Sequence, residues 1–166
     1  MEGEAYMAKR ITAVLLMGIF LVIGVEAAMV SFLVIETGLP QEVALSQHSE
    51  RWENALLDVF FDAGHIVSNS VPLRLETKPS GEIQKTVEAD IEEARNGGVD
   101  YFIIAQLDFT PDLQIPGEIS FTLLKITPYE KIYEKQVTGK TYRSVREEID
   151  DLRIIVRELV PYLNTM

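Results

Sequence analysis

The stretch Val99–Thr110, VDYFIIAQLDFT, decides the fold of this chain. Its centre, Phe102–Ala105, is apolar at every position, which is typical of a strand that is covered on both faces. The Asn-Gly-Gly sequence at 96–98 ends a helix before it, and Pro111 breaks the strand after it. We therefore predict that Val99–Thr110 is the central strand of a sheet and that a helix leads into it.

Two strands and a helix are predicted on the N-terminal side of this strand. Met29–Glu36 is mostly apolar and is predicted as a strand. Ser46 is a predicted N-cap, and apolar residues at helical spacing then predict a helix with one buried face that ends at Gly64. His65–Ser68 predicts a second short strand, and Leu73–Glu76 extends it after a loop.

A further helix precedes the central strand, and two strands and a last helix follow it. Glu82 begins the helix that stops before the two glycines. Glu118–Thr127 and Lys131–Thr138 are rich in β-branched and aromatic residues and are predicted strands. Ser144 and Glu147 have the spacing of a capping box, which predicts the start of the last helix.

This order of elements predicts a two-layer α/β (α+β) sandwich. The early strands are joined by helices, so we expect parallel neighbours connected by right-handed crossovers. The later strands are joined by short turns, so we expect them to be antiparallel. The prediction is a mixed sheet of about five strands with three helices on one face, formed by residues 28–166 as a single domain.

The N-terminus has the organisation of an export signal. A basic pair at 9–10 precedes Ile11–Val25, an unbroken apolar run of 15 residues. A cleaved signal peptide uses about 7–15 apolar residues, whereas a membrane-spanning helix needs about 20. Signal peptidase cleavage requires small residues three and one positions before the cut, and Val25 and Ala27 occupy these positions for a cut before Ala28. Residues 1–27 are therefore predicted to be a signal peptide, and the protein to be periplasmic or otherwise exported.

Two alternatives for the N-terminus stay open. In the first alternative, residues 11–25 are not cleaved and anchor the protein in the inner membrane. Contact with a membrane is expected only in that case. The second alternative is a buried core helix, and the lack of a polar face in the run argues against it.

Composition excludes several functional classes. The chain has no cysteine, so it has no disulfide and no lipid-modified cysteine. Its 26 acidic and 15 basic side chains give a formal net charge of −11. A surface this acidic repels nucleic-acid phosphates and anionic lipid headgroups. Nucleic acid is therefore not expected as a partner, whereas a basic partner, or plain solubility, fits the charge.

The order of elements behind an export signal resembles a group of bacterial envelope domains. Trp52–Gly64 (WENALLDVFFDAG) looks like the first helix of that group and its glycine exit. Gly97–Ala105 (GGVDYFIIA) looks like its entry into the central strand. The group comprises the N-terminal domain of the Tol system's propeller protein, the curli-secretion lipoprotein domain and the lipoprotein activators of penicillin-binding proteins.

The resemblance implies a module for assembly, docking or activation, generally without catalysis. The chain departs from the group because it lacks a lipidated cysteine, a propeller and a pore-forming hairpin. The resemblance therefore transfers no functional residue.

No catalytic or metal-binding motif is found in the sequence. A structural zinc site needs about four ligands, and His48 and His65 lie at opposite ends of one predicted helix. No cofactor is expected. Asp108 lies near the end of the central strand and Asp112 lies just after it, and together with His65 they are the residues expected to line a pocket if the chain has one.

Apolar and aromatic loop residues are the strongest candidates for a functional surface. These residues flank the strands after the central one: Phe109, Leu113, Ile115, Tyr129 and Tyr133. The first hypothesis is an exported, non-catalytic envelope protein that binds another envelope protein, with a homodimer as one form. The alternative is a periplasmic module that binds a small ligand and has weak hydrolytic activity.

Overall fold

In a computed structural model, the chain is described over residues 27–40, 45–76, 81–110 and 115–163. The strands and helices are numbered here in chain order. The strands are β1 (Met29–Thr37), β2 (Ile66–Asn69), β3 (Leu73–Leu75), β4 (Tyr101–Phe109), β5 (Pro116–Lys125) and β6 (Glu130–Thr138). The helices are α1 (Gln47–Asp62), α2 (Gly81–Asn96), α3 (Val145–Arg157) and the short α4 (Val160–Leu163).

The six strands form one mixed sheet. Its order is β2-β1-β4-β5-β6, and β3 pairs with β1 on the same side as β2. Strands β2, β3 and β4 run parallel to β1, whereas β4, β5 and β6 are successively antiparallel. The fold class predicted from the sequence, an α/β sandwich with a mixed sheet, is confirmed, as are the predicted strand directions.

Alternate residues of β1 are buried in two separate apolar clusters, one on each face of the sheet. Val30, Phe32 and Val34 belong to the larger cluster, which includes the buried faces of α1 and α3. Leu33 and Ile35 belong to a smaller cluster on the other face of the sheet, against α2. Since successive strand residues point to opposite faces, helices cover both faces of β1.

The predicted placement of all three main helices on one face is therefore wrong. Helices α1 and α3 lie on one face, and α2 lies on the other. The cause is the direction of the two crossovers. The first runs from β1 outward to β2, and the second runs from β3 back across β1 to β4. Right-handed crossovers that run in opposite directions across a sheet put their helices on opposite faces.

The local signals at the helix ends are confirmed. The Ser46 side chain accepts a hydrogen bond from the Ser49 backbone N–H, and Ser144 accepts one from the Glu147 N–H. Gly64 has a φ of 87°, the left-handed conformation expected just after a helix.

The predicted leader is not part of this description. Residues 1–26, on which the signal peptide and the anchor alternative depend, lie outside the described residues, so both stay predictions. Within the described ranges, no helix is long and apolar enough to cross a membrane.

Candidate functional site

The predicted partner surface is only partly exposed. Phe109 is 3% exposed, because it continues the row of β4 residues that face α1 and α3. Tyr133 is half-buried and its ring lies 4.7 Å from that of Tyr162. Ile115 is half-buried, whereas Tyr129 is 58% exposed. Leu113 is outside the described residues.

The predicted pocket residues do not come together. Asp108, at the end of β4, accepts a hydrogen bond from the Thr37 hydroxyl at 2.8 Å, at the end of β1. His65 instead contacts Ala28, just before β1 begins. Nine residues of β1 separate these two places, which at about 3.3 Å per residue is roughly 30 Å. Asp112 is outside the described residues.

His65 lies in the interior as a neutral side chain. It is 3% exposed, and its Nδ1 accepts a hydrogen bond from the Ala28 backbone N–H at 3.2 Å. Burial lowers the pKa of the His65 imidazole below its ordinary value of 6.5. Its Nε2 has no hydrogen-bond partner among the described residues and faces no pocket acid there. The arrangement suits a packing role next to Phe60, whose ring centroid is 6.5 Å away.

Glu36 is a fully buried carboxylate at the end of β1. It accepts hydrogen bonds from the Ser46 backbone N–H (2.8 Å), the Ser49 hydroxyl (2.5 Å) and the Arg74 Nε (2.9 Å). Burial alone would raise the pKa of Glu36, but these donors outweigh it and hold the pKa below its ordinary value. The carboxylate is thereby fixed at the N-terminus of α1, where a negative charge is favourable.

Glu148 joins α3 to α1 in a similar way. It is 4% exposed, and its carboxylate contacts His48 Nδ1 at 2.5 Å and the Arg51 guanidinium. Both oxygens are therefore occupied by side chains of α1. Like Glu36, this acid holds elements together and offers no oxygen to a substrate. Within the described residues, no group of three or more His, Asp or Glu side chains is placed to hold a metal ion.

The open edge of the sheet at β2 is the most distinctive surface of the molecule. The backbone N–H groups of Ile66 and Ser70 donate to Ala28 and Phe32, so they point towards β1. Because backbone groups alternate along a strand, those of the intervening Val67 and Asn69 point away from the sheet. Strand β2 ends the strand order, and these groups face outward.

Large apolar side chains surround this edge. Phe61 is 75% exposed in the last turn of α1, Ile66 is 58% exposed at the start of β2, and Val71 is 80% exposed just after it. We call this surface the β2 edge, formed by the outward backbone of Val67 and Asn69 together with Phe61, Ile66 and Val71. It combines strand backbone that has no partner strand among the described residues with exposed apolar area, which is the combination that strand-adding partners use.

The two edges of the sheet differ sharply in charge. No Asp, Glu, Lys or Arg occurs from His65 to Leu73. By contrast, β6 carries Lys131 and Glu134, which form an ion pair, and Lys135, which pairs with Glu158. Natural proteins place charges, especially lysines, on edge strands that must stay unpaired. The β6 edge is protected in this way, whereas the β2 edge is not.

A polar groove runs between the edge and α2. It has a volume of about 530 Å³, and its polar lining includes Ser31, Ser68, Ser70 and Asp90. Burial and the nearby Glu93 raise the pKa of Asp90, although a hydrogen bond from Ser70 opposes the shift. The groove is a candidate site for a small ligand with hydroxyl groups, although apolar residues such as Met29 and Leu73 also line it.

One feature of the sequence indicates the β2 edge, although the prediction of a short strand at His65–Ser68 does not include it. The uncharged run from His65 to Leu73 was interpreted only as a short strand and a loop. Its lack of charge in a chain with 25% charged residues was the available signal. That β2 would be the outermost strand could not be deduced locally, since it depends on the direction of the crossover.

Comparison with solved structures finds similar bacterial chains at low identity. The PelC dodecamer from Paraburkholderia phytofirmans is 14% identical, with 84% of this chain and 90% of that chain covered and a TM-score of 0.45. The LpoB C-terminal domain from Salmonella enterica is 15% identical, with 75% and 91% covered and a TM-score of 0.42. Lipoprotein GNA1162 from Neisseria meningitidis is 10% identical, with 81% and 96% covered and a TM-score of 0.43.

These likenesses transfer no activity or partner to this chain. The specific Tol and curli relatives stay predictions. No curated protein matches the chain in sequence. A family model described as "Uncharacterised protein" matches residues 32–158, well over half of the chain, and the chain belongs to that family.

Proposed function

We propose that the chain is an exported, non-catalytic accessory module of the bacterial envelope that binds another protein chain through the β2 edge. The observation that carries this proposal is an outermost strand without charge, flanked by Phe61, Ile66 and Val71 at 58–80% exposure. The assembly or activating role implied by the envelope resemblance belongs to the same proposal. Residues 1–27 act in it as the removed export signal.

The mechanism is the addition of a strand to the sheet. An extended segment aligned with β2 receives hydrogen bonds from the Val67 and Asn69 N–H groups and donates to their carbonyls. These backbone bonds set the alignment and supply part of the affinity. Burial of the exposed apolar side chains supplies the rest, at about 25 cal/mol for each Å² of apolar surface removed from water.

The state of the buried acids supports a role without catalysis. A general acid or base must present its carboxyl group to a substrate with a matched pKa. Glu36 and Glu148 instead have their oxygens engaged by serine, arginine and histidine side chains of the same chain. These contacts leave neither carboxylate free to present an oxygen to a ligand.

Site-specific photo-crosslinking in the producing cell tests the proposal. A photoreactive amino acid replaces Ile66 in one variant and Tyr129 in the other, because both side chains are 58% exposed. Tyr129 belongs to the partner surface expected from the sequence, which remains the competing proposal. We expect protein adducts of discrete mass in the envelope fraction from the Ile66 variant.

The variant with the photoreactive residue at position 129 is the control for where on the surface the partner binds. Adducts from Tyr129 alone would overturn the β2 edge in favour of that competing surface. If neither variant forms an adduct, the protein-binding proposal itself is overturned.

The polar groove supports a second candidate function, the binding of a small ligand. Hydroxyl groups of Ser31, Ser68 and Ser70 beside the Asp90 carboxyl suit a neutral, hydroxyl-bearing ligand. In that case a soluble glycan should raise the melting temperature of the chain, and Asp90→Asn should abolish the shift. A shift together with failed crosslinking at Ile66 would make ligand binding the primary function.

A further inference from the structure

We infer that the occupant of the β2 edge is a second copy of this chain, paired antiparallel through β2 about a two-fold axis at Ser68. The inference rests on the proposed function and names its partner. The resulting dimer has one continuous sheet that runs through both copies.

The backbone of β2 selects this register. Only Val67 and Asn69 direct their N–H and C=O groups away from β1, as the bonds of Ile66 and Ser70 to β1 imply. An antiparallel pairing centred on Ser68 places Val67 of each copy opposite Asn69 of the other. These residues then form the hydrogen-bonded pairs, and the two Ser68 residues form a non-hydrogen-bonded pair. A pairing centred on Val67 instead places Asn69 opposite His65, whose N–H already donates to Phe60.

The same register accounts for the exposed apolar side chains. It brings Val71 of one copy opposite His65 of the other, at the end of the strand where Phe61 and Ile66 of that other copy lie. Ile66 of each copy lies opposite Ser70 of the other on the α2 face of the sheet, and each such contact occurs twice about the two-fold axis. Leu57, one helical turn before Phe61, is partly buried and extends the apolar surface along α1.

The lack of charge on the β2 strand favours a second copy over a basic partner. Each copy has a formal net charge of −11, so two copies repel at a distance. The stretch from His65 to Leu73 is uncharged, so that no like charges are brought together along the paired strands. Glu53, the acid that contacts the strand, has its carboxylate engaged by the Asn69 side-chain amide at 2.9 Å. A basic partner would be expected to meet acids at this edge, and the strand has none.

A single cysteine tests the register directly, because the natural chain has none. In Ser68→Cys the two cysteines face each other as a non-hydrogen-bonded pair, with a Cα–Cα distance of about 4.5 Å that lies within the range a disulfide bridges. The matched control is Gln136→Cys, an exposed position on the opposite edge strand β6. Under mild oxidation of the purified chain we expect most Ser68→Cys to migrate at twice the monomer mass and Gln136→Cys to stay monomeric.

A second pair of variants tests the backbone bonds. Asn69→Pro removes an N–H that points away from β1, so the monomer keeps its backbone hydrogen bonds and loses only the side-chain bond to Glu53. Asn69→Ala loses the same side chain and keeps the N–H. We expect sedimentation to show a loss of dimer in Asn69→Pro, by tenfold or more in the dissociation constant, and little change in Asn69→Ala.

The outcomes separate this inference from the proposed function. If Ser68→Cys dimerises no more than Gln136→Cys and the chain sediments as a monomer, the second copy is excluded. Adducts of Ile66 with a different protein would then still support strand addition at the β2 edge. If Ile66 forms no adduct and Ser68→Cys no dimer, both proposals fail together.

Discussion

At Glu36, a carboxylate with no exposed surface is surrounded by hydrogen-bond donors from two separate segments of the chain. The donors are Ser46 and Ser49 at the start of α1 and Arg74 in β3. Each of them lowers the free energy of the charged form, which compensates the loss of hydration. The result is a fixed negative charge that ties together β1, β3 and α1.

This fixed charge predicts a specific dependence of stability on pH. The pKa of Glu36 is lowered in the folded chain, so the folded state releases this proton more readily than the unfolded state does. Its contribution is complete above the ordinary value of 4.5 and is lost as the pH falls through the lowered pKa. Chemical denaturation should therefore show a smaller loss of stability below pH 4.5 in Glu36→Gln than in the natural chain.

The same variant should be strongly destabilised at neutral pH. Glu36→Gln removes the charge that faces the buried Arg74 guanidinium, and such losses cost about 3–5 kcal/mol of unfolding free energy. Glu76→Gln, at an exposed position in the same region, is the control and should change little. Equal stability of the two variants would refute the structural role of Glu36.

Two glycines provide a second test at the residue scale. Gly38 and Gly64 have nearly the same left-handed backbone, with φ of 84° and 87°. A Cβ on Gly38 would lie 2.0 Å from the Phe109 carbonyl oxygen, whereas a Cβ on Gly64 would meet nothing within 4 Å.

Alanine at the two positions should therefore differ in cost. We expect Gly64→Ala to lose about 1 kcal/mol, from the backbone strain alone. Gly38→Ala should lose roughly 1–3 kcal/mol more, since the ends of β1 and β4 must also move apart. Thermal denaturation measures the difference, and equal melting temperatures would show that these strand ends are not in close contact.

At the scale of elements, helices α1 and α3 are joined by two charged contacts of very different burial. Glu148, 4% exposed, contacts His48 and Arg51 of α1. Arg153 and Asp58 form the second contact at the exposed side of the pair. Only the first is shielded from water, so only the first is expected to determine how the helices dock.

Matched substitutions separate these contributions. Glu148→Gln should lower the free energy of unfolding by about 3 kcal/mol or more, because it removes a buried charge from the Arg51 guanidinium. Arg153→Gln should have little effect, because solvent screens the exposed pair. Urea denaturation of both variants checks the contrast. A larger loss for Arg153→Gln would overturn this assignment.

Element boundaries were predictable because their causes are local. Ser46, Ser144 and Gly64 act within one helical turn of their position, and the structure has each where the sequence pattern indicated. The contacts of Glu36 and Glu148 were not predictable in the same way. Glu36 meets Arg74 across 38 residues, and Glu148 meets His48 across 100. Such pairs depend on strand register and helix docking, which no local pattern specifies.

At the scale of the whole molecule, the face covered by α2 and the edge position of β2 were not predicted, because both depend on the path of the chain across the sheet. The mixed sheet and its strand directions followed from connection lengths. The reversal of crossover direction after β2 did not, and it places α2 on the second face and β2 at the edge. Phe109 illustrates the same limit. It was expected at a loop surface, although its alternation with Leu107 and Ala105 puts it on the row that α1 and α3 bury.

The direction of β1 links the dimer to the fate of the leader. In a sheet shared by two antiparallel β2 strands, the two β1 strands also run in opposite directions, so the Ala28 residues of the two copies lie at opposite ends of the shared sheet. Two copies still tethered to one bilayer would stand side by side with their strands pointing the same way, and could not adopt this arrangement while upright. Removal of residues 1–27 would then be required for pairing, and a chain that kept this leader would remain a monomer.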